Sequence, residues 1–214
     1  MTAVEPTQTL PSTVPTLSAR LREGTREAHR VAERSRFVRD ILRGDLTREA
    51  YARYLAALYR LYAGLEAGID RNSEHPCLAP LVWPALWRTA AVAADLEMLL
   101  GPAWPQHVSQ DRLADPYVAR LSALTVDDPP LLVAHAYTRY LGDLSGGQLL
   151  GNAVARFAPG AVALYAFPGL DVTAARHGFR ARLDALPLGP RGEAAVVAEA
   201  ERAFALLAGL MAAL

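Results

Sequence analysis

A histidine lies among charged residues on the first predicted helix. Four side chains are spaced so that they fall on one helix face, next to an apolar face: Arg22, Arg26, His29 and Glu33. A neutral imidazole at that boundary can present one ring nitrogen to a metal, while Glu33 accepts a hydrogen bond from the other. The two arginines would lie where an anionic ligand emerges. A solvent-exposed charged face with a half-buried histidine explains the same pattern.

Glycines are concentrated in the stretch Tyr137–Gln148, which otherwise follows a helical pattern. Gly142, Gly146 and Gly147 together should cost about 3 kcal/mol relative to alanines in a helix interior. Because Gly142 and Gly146 are one turn apart, a flat notch forms where the backbone can approach a planar ligand, and the helix can kink there. Close helix–helix packing, or a Ser-Gly-Gly turn between two helices, would also explain the glycines.

Asp143 lies beside this notch, with Arg139 one helical turn earlier. A base that precedes an acid by four residues is the weaker orientation of an intrahelical ion pair, worth about a few tenths of a kcal/mol. A carboxylate next to a cavity can instead order water and relay protons. On a later helix, Arg176 and Arg180 are one turn apart and could bind carboxylates in a forked geometry. A solvated basic face is the simpler explanation of those two arginines.

The elements that would position these residues are all predicted to be helices, since no alternating strand pattern and no internal repeat is present. The apolar spacing predicts a helix that begins near Leu17, a short helix over 36–43 that ends at Gly44, and a long helix with Thr47 as its N-cap. An irregular Pro-rich connection is predicted over 75–84, and further helices over 85–100, 116–125, 129–157, 171–186 and 191–213. We expect one all-α domain of seven to nine helices in an irregular bundle.

Composition and charge exclude several classes of protein. The chain has 214 residues and a formal net charge of zero, which argues against nucleic acid as a partner. No apolar run reaches the roughly 18 residues of a membrane span, so we expect no membrane anchor. Residues 1–16 lack signal-peptide features and are expected to be a disordered tail before a domain over 17–214. With Cys77 as the only cysteine, a cytoplasmic location is expected. Four histidines are interpreted as structural or surface residues: His75, His107, His135 and His177.

The stretch LLVAHAYTRYLGDLSGGQLL (131–150) resembles the signature of the heme oxygenase family. The stretch LREGTREAHRVAERSRFV (21–38) is similar to that family's proximal helix. The similarity covers nearly everything from about residue 17 onward, in the same order and at compatible spacing. It implies an all-α, single-domain irregular helical bundle, with heme held between a proximal helix and a kinked distal helix.

On the proximal side, the resemblance assigns roles to residues of the first helix. It implies that His29 is the iron ligand and that Glu33 holds its ring by a hydrogen bond. Thr25 and Ala28 would pack near the porphyrin on the same side. Four further residues match positions around the heme propionates: Arg22, Tyr137, Arg176 and Arg180.

On the distal side, the resemblance implies that the glycine-rich helix rests on the heme face at Gly142 and Gly146. Asp143 takes the position of a carboxylate that organises water near the iron. Tyr62 and Arg139 match residues of the polar network around that carboxylate.

The activity that the resemblance implies is oxidative opening of heme at a meso carbon, which yields biliverdin, iron and carbon monoxide. Heme would be both cofactor and substrate, O2 the oxidant, and a ferredoxin or flavin-dependent reductase the electron donor. The resemblance is to the soluble microbial branch, with arginines at three positions where the family has lysines: Arg22, Arg26 and Arg176. The main alternative is a non-catalytic heme-binding or heme-storage protein on the same fold. A di-iron oxidase is disfavoured because no glutamate has a histidine three residues later.

Overall fold

The chain forms an irregular bundle of helices in a computed structural model, which describes residues 15–214. The first two helices, α1 (Leu17–Gly24) and α2 (Arg26–Glu33), follow each other almost without interruption. The hydroxyl of Thr16 caps α1 by accepting a hydrogen bond from a first-turn amide. The predicted tail over 1–16 lies outside the described residues except for its last two.

The third helix lies where the sequence predicts it, and the fourth begins at the predicted residue. Helix α3 (Arg36–Arg43) ends at Gly44, whose φ of 81° lies in the left-handed region that favours glycine. Helix α4 (Arg48–Arg71) has Thr47 as its N-cap, and the threonine hydroxyl accepts a hydrogen bond of 3.1 Å from a backbone amide. The predicted helix over 36–43 and the predicted cap are therefore confirmed.

Seven further α-helices follow α4 in the chain. A π-helical turn at Tyr137–Leu141 joins two of them, and the second of the two carries the glycines. Short 3-10 turns occupy the Pro-rich connections. The helices are α5 (Thr89–Leu100), α6 (Trp104–Gln110), α7 (Asp115–Asp127), α8 (Leu132–Ala136), α9 (Gly142–Val154), α10 (Val172–Asp184) and α11 (Pro190–Ala212).

Helix α4 is the centre of the core. It packs against α5, α6, α7 and α8, and its apolar side chains are fully buried over five turns, among them Leu55, Leu58, Leu61, Leu65 and Ile69. Each such side chain contributes about 1.5–3 kcal/mol by leaving water. This burial fixes the middle of α4 inside the bundle, so that a polar residue on it is held in a dry environment.

The all-α fold class is confirmed: residues 15–214 contain eleven α-helical segments and no strand. That number exceeds the expected seven to nine because α1 and α2 separate at Thr25 and because the π-helical turn divides the predicted helix over 129–157. Helix α6 was not predicted, since Gly101 and Pro102 indicated a longer break. Each helix of the described chain is either too short or too polar to span a bilayer.

Candidate functional site

Three buried polar side chains meet in the middle of the bundle. Tyr62 comes from α4, Arg139 from the π-helical turn and Asp143 from the first turn of α9. The Tyr62 hydroxyl donates to Asp143 Oδ2 at 2.5 Å. The Arg139 guanidinium donates to the Tyr62 oxygen at 2.7 and 3.1 Å and to Asp143 Oδ1 at 3.0 Å. These three side chains, the polar triangle, are therefore completely bonded to one another, with exposed fractions of 0%, 7% and 8%.

Burial and charge set the protonation of the polar triangle. Burial raises the pKa of Asp143, although the Arg139 charge and the Tyr62 hydrogen bond oppose that change. Burial likewise raises the pKa of Tyr62 well above its usual value, so the phenol stays protonated and donates a hydrogen bond to the carboxylate. Desolvation alone would lower the pKa of Arg139, but Tyr62 and Asp143 raise it well above its usual value. The geometry is that of a buried ion pair between Arg139 and Asp143, bridged by the Tyr62 phenol.

A π-helical turn lies at Tyr137–Leu141, directly before the glycine-rich helix. Such a turn inserts one residue into the helix and re-aims the side chains around it, and π-turns are frequent at functional sites. The sequence predicts a kink at the glycines themselves, whereas α9 is a regular α-helix from Gly142 to Val154. The irregularity therefore precedes the glycines, and the alternative of a Ser-Gly-Gly turn between two helices is wrong.

The glycines of α9 divide into two groups by their surroundings. A Cβ atom added at Gly142 or Gly146 would meet nothing within 4 Å. At Gly147 it would lie 3.8 Å from the Tyr165 side chain, and at Gly151 only 3.0 Å. Gly151 therefore allows close packing of α9 against Tyr165, and Gly147 lies on the same packed side of the helix. Gly142 and Gly146 leave an open helix face, against which a planar group can lie flat.

His29 projects from α2 with 54% of its side chain exposed. Its Nδ1 lies 3.5 Å from Glu33 Oε2, slightly beyond an ordinary hydrogen bond. Because Glu33 is on the Nδ1 side, Nε2 is the nitrogen left to bind a metal. The imidazole also packs edge-on against the Phe204 ring of α11, with ring centroids 5.7 Å apart. The sequence analysis missed Phe204, since no spacing pattern relates residues so far apart in the chain.

A contact joins the segment that carries His29 to the π-helical turn. Thr25 lies between α1 and α2, and its hydroxyl oxygen is 3.4 Å from the Tyr137 hydroxyl. Ala28 is half-buried on the same segment. The structure thus brings Thr25 and Tyr137 together, and it places α2 beside the element that precedes the open glycine face.

The candidate arginines lie on helices that neighbour these elements, since α10 packs against both α1 and α9. The Nε of Arg176 is buried and has no hydrogen-bond partner among the described residues. A buried donor without a partner is costly, so an anionic group there would relieve the cost. Arg180 and Arg22 are exposed. The guanidinium of Arg182 instead stacks on Trp83, 4.1 Å from the ring centroid, and we interpret it as a packing residue.

A second buried polar cluster lies away from the polar triangle and was not predicted beyond a structural role for His135. The Nε2 of His135 is 3.1 Å from Glu199 Oε1, and its Nδ1 is 3.0 Å from the Tyr117 hydroxyl. Arg120 donates two hydrogen bonds to Glu199, at 2.8 and 2.6 Å. Because the carboxylate only accepts, Nε2 carries the proton and Nδ1 accepts from Tyr117. The cluster ties α7, α8 and α11 together.

This cluster makes stability depend on pH. Burial raises the pKa of Glu199, but hydrogen bonds from Arg120 and His135 outweigh it and lower the pKa to about 2. Burial lowers the pKa of His135 from its ordinary 6.5. Below pH 6.5 the unfolded chain binds a proton at His135 that the folded chain does not, and below 4.5 another at Glu199. We therefore expect the contribution of this cluster to the unfolding free energy to fall below pH 6.5 and more steeply below 4.5.

The variant Glu199→Gln isolates the carboxylate's contribution to this pH dependence. At pH 7 we expect a loss of about 2 kcal/mol in unfolding free energy, because charge-assisted hydrogen bonds from two partners are weakened. The decline below pH 4.5 should become shallower. Glu193→Gln on the same helix is the control, since the ion pair between Glu193 and Arg20 is partly exposed and should change stability by less than about 1 kcal/mol. Parallel pH profiles for wild type and Glu199→Gln would contradict the assignment.

Comparison with known proteins gives one consistent result. A family model described as heme oxygenase matches residues 15–213. The chain is 40% identical over 195 residues to heme oxygenase 2 of Oryctolagus cuniculus, which covers 88% of this chain and 62% of that protein. It is 38% identical over 197 residues to heme oxygenase 1 of Homo sapiens, covering 89% and 68%. The chain thus spans 62% of the length of the first of these relatives.

Solved structures agree with this comparison. The heme oxygenase of Leptospira interrogans superposes with a TM-score of 0.89 and 35% identity, over 94% of this chain and 100% of that one. Heme oxygenase-1 of the cyanobacterium Synechocystis, solved in complex with heme, gives a TM-score of 0.89 and 33% identity, over 93% and 92%. Fold and sequence similarity therefore extend along nearly the whole described chain.

Proposed function

The chain belongs to the heme oxygenase family, and from that premise we propose that it cleaves heme at a meso carbon. The products would be biliverdin, iron and carbon monoxide, with O2 and external electrons consumed. One observation carries the proposal: the buried polar triangle of Tyr62, Arg139 and Asp143 directly adjoins the open helix face of Gly142 and Gly146. Bound heme would supply both the iron that activates dioxygen and the ring that is cleaved.

The proximal side is assigned to α2. His29 would bind the iron through Nε2, while Glu33 on the Nδ1 side fixes the ring orientation and the tautomer. The Phe204 ring restricts rotation of the imidazole from the other side. Thr25 and Ala28 would line the same face of the heme, since they lie on the segment that carries His29. This side therefore supplies the ligand and its orientation.

The distal side is assigned to α9 and the polar triangle. The absence of side chains at Gly142 and Gly146 lets the helix backbone lie against a flat ring. Each Asp143 oxygen accepts one hydrogen bond within the triangle and keeps a lone pair for water. Tyr62 and Arg139 hold the carboxylate in one orientation, so a water bound to it is held in place as well. Asp143 would thereby position the proton source for oxygen activation.

The arginines near α10 would bind the heme propionates. The Nε of Arg176 is buried without a partner in the described chain, which is what a site for a carboxylate should offer. Arg180, one turn later, and Arg22 on α1 would add charge at the solvent edge. The hydroxyl of Tyr137 completes this set. Together they would fix the rotation of the heme, and with it the meso carbon that is attacked.

Electrons must come from another protein, and we propose a ferredoxin or a flavin-dependent reductase as the donor. Exposed arginines around the proximal helix favour an acidic partner surface, among them Arg26, whose side chain is 76% exposed. We also propose a cytoplasmic location, where a single buried thiol such as that of Cys77 is typical.

The direct test adds hemin to the purified protein and follows the absorption spectrum after a reductant is supplied in air. We expect a heme band that decays into biliverdin absorption, with carbon monoxide trapped by ferrous myoglobin. A heme band that persists with a complete ferredoxin system would show a non-catalytic heme-binding protein instead. No change in the hemin spectrum on mixing would remove heme as the ligand.

The open glycine face yields a prediction that separates ligand binding from folding. Gly146→Ala should raise unfolding free energy by about 0.5–1 kcal/mol, because alanine favours the helix and its methyl group meets nothing within 4 Å. The same methyl group would stand between the backbone and the ring, so hemin affinity should fall about tenfold, equivalent to about 1.4 kcal/mol. Hemin titration and thermal unfolding measure the two effects.

The control for this prediction is Gly209→Ala on α11. Gly209 is also helical, exposed and without a neighbour within 4 Å of an added Cβ. It should gain the same stability and keep wild-type hemin affinity. Equal hemin affinity in both variants would mean that the open face of α9 does not contact the ligand.

A further inference from the structure

A cavity of about 740 Å³ lies where the end of α2, the start of α3 and the C-terminal end of α11 meet. We call it the α2–α3 groove. It is lined by Arg30 and Val31 of α2 and by Arg34, the residue that follows the helix, and His29 is not among its lining residues. At 100° per residue, Arg30 and Val31 lie roughly 100° and 160° from His29 around the helix. The groove is therefore separate from the side of α2 assigned to heme.

The floor of the α2–α3 groove is apolar. Phe37 of α3 and Met211 of α11 are nearly buried in it, with Leu46 and Leu214 beside them. Val31 also lines the groove but is 53% exposed, which is unusual for a large aliphatic side chain. A ligand with an apolar body would remove this surface from water and gain about 25 cal/mol for each Å² covered.

The rim of the groove carries three arginines and one acid. Arg30 is held by two hydrogen bonds to Glu27, at 2.9 and 2.5 Å. Arg36 has its Nε 3.4 Å from Asp40 Oδ2. Arg34 makes no side-chain hydrogen bond or ion pair to any residue in the described range 15–214. One guanidinium at the groove thus has all its donors available, while the other two are paired with acids.

We propose that the α2–α3 groove binds an amphipathic carboxylate, a small molecule with an apolar body and one ionised carboxyl group. The fork of a guanidinium matches a carboxylate in geometry, and Arg34 is the side chain placed to offer it. The apolar floor receives the body of the ligand. The cavity volume falls within the range of small-molecule pockets, roughly 300–1,000 Å³. This site goes beyond the proposed heme chemistry and does not depend on it.

The test is calorimetric titration of the full chain with decanoate at concentrations where it is monomeric. We expect saturable binding of one decanoate per chain, and binding at least fivefold weaker in Arg34→Gln. Arg39→Gln is the matched control, because Arg39 is exposed on α3 but does not line the groove, and it should bind as wild type does. Decan-1-ol, which has the same chain without the charge, should bind at least fivefold more weakly than decanoate.

Four outcomes would overturn the proposal. The first is decanoate binding that Arg34→Gln and Arg39→Gln affect equally, and the second is equal binding of decan-1-ol. The third is binding to anionic phospholipid vesicles without binding of monomeric decanoate, which would make the groove a membrane contact. Repeating the titration with hemin-saturated protein should leave decanoate affinity unchanged, and competition with hemin would place decanoate in the heme site instead. Hemin binding itself, read from the heme absorption band, reports separately on the proposed function.

Discussion

Asp143→Asn should lower the rate of biliverdin formation by at least about 100-fold while hemin affinity changes by less than about threefold. The expected loss corresponds to the lower end of what positioned acid–base groups contribute. Asparagine retains the shape of the side chain but offers water one acceptor oxygen where the carboxylate offers two. The Asp143 carboxylate bonds to Tyr62 and Arg139, whereas the proposed iron ligand is His29 on α2, so the heme itself should still bind. Hemin titration and single-turnover product analysis measure the two quantities.

A loss of stability must be separated from a loss of catalysis in this variant. Asparagine leaves the buried Arg139 charge without its counter-charge, which should cost about 3 kcal/mol of unfolding free energy. The double variant Asp143→Asn/Arg139→Gln removes both charges and should recover much of that stability. We expect its rate to stay as low as that of the single variant. An unchanged biliverdin yield in Asp143→Asn, or recovery of the rate in the double variant, would contradict the role given to the carboxylate.

Local features of the fold could be predicted from the sequence because their causes are local. Thr47 is a good N-cap and Gly44 tolerates a positive φ, so the end of α3 and the start of α4 follow from those residues alone. The π-helical turn could not be predicted, since Tyr137–Leu141 carries no residue that breaks an α-helix. Its hydrogen-bond pattern depends on how both halves of the helix pack, and no periodicity in the sequence records that.

The sequence likewise predicts only part of the candidate site. The spacing of Arg139 and Asp143 indicates an ion pair, and the 3.0 Å contact is present. The spacing gives no reason to join Tyr62 to them, because it belongs to another helix and only the family resemblance pointed to it. Its hydroxyl changes the chemistry, since it donates to the carboxylate and accepts from the guanidinium. A prediction from residue pairs within one helix is therefore incomplete, because tertiary packing brings the third side chain, Tyr62, from another helix.

The glycines show why one composition signal can have two causes. From the sequence, Gly142, Gly146 and Gly147 form a single costly run. In the structure, an added Cβ at Gly147 would lie at ordinary contact distance from Tyr165, whereas at Gly142 or Gly146 it would meet nothing within 4 Å. Only the distances to surrounding atoms separate helix packing from an open face. Close packing thus applies on the Tyr165 side of α9, and ligand contact at Gly142 and Gly146 stays a prediction.

His29→Ala should remove the proposed iron ligand without affecting the fold. The side chain is 54% exposed and holds no buried hydrogen bond, so we expect unfolding free energy to change by less than about 0.5 kcal/mol. Product formation should fall roughly 100-fold or more, the factor that about 3 kcal/mol of lost transition-state stabilisation produces. The heme absorption band should shift at the same time, because its position reports the ligand bound to iron. Hemin titration, the spectrum and turnover are measured on one preparation.

Imidazole added to the medium distinguishes a lost ligand from a distorted site. Removal of the His29 ring leaves space between Glu33 and Phe204, and free imidazole that enters it should restore the wild-type heme spectrum in part. His107→Ala is the control, since His107 is exposed on α6 and should change neither spectrum nor turnover. A wild-type spectrum and rate in His29→Ala would mean that another residue binds the iron. A lost heme band that imidazole cannot restore would mean that His29 shapes the pocket and does not act as the ligand.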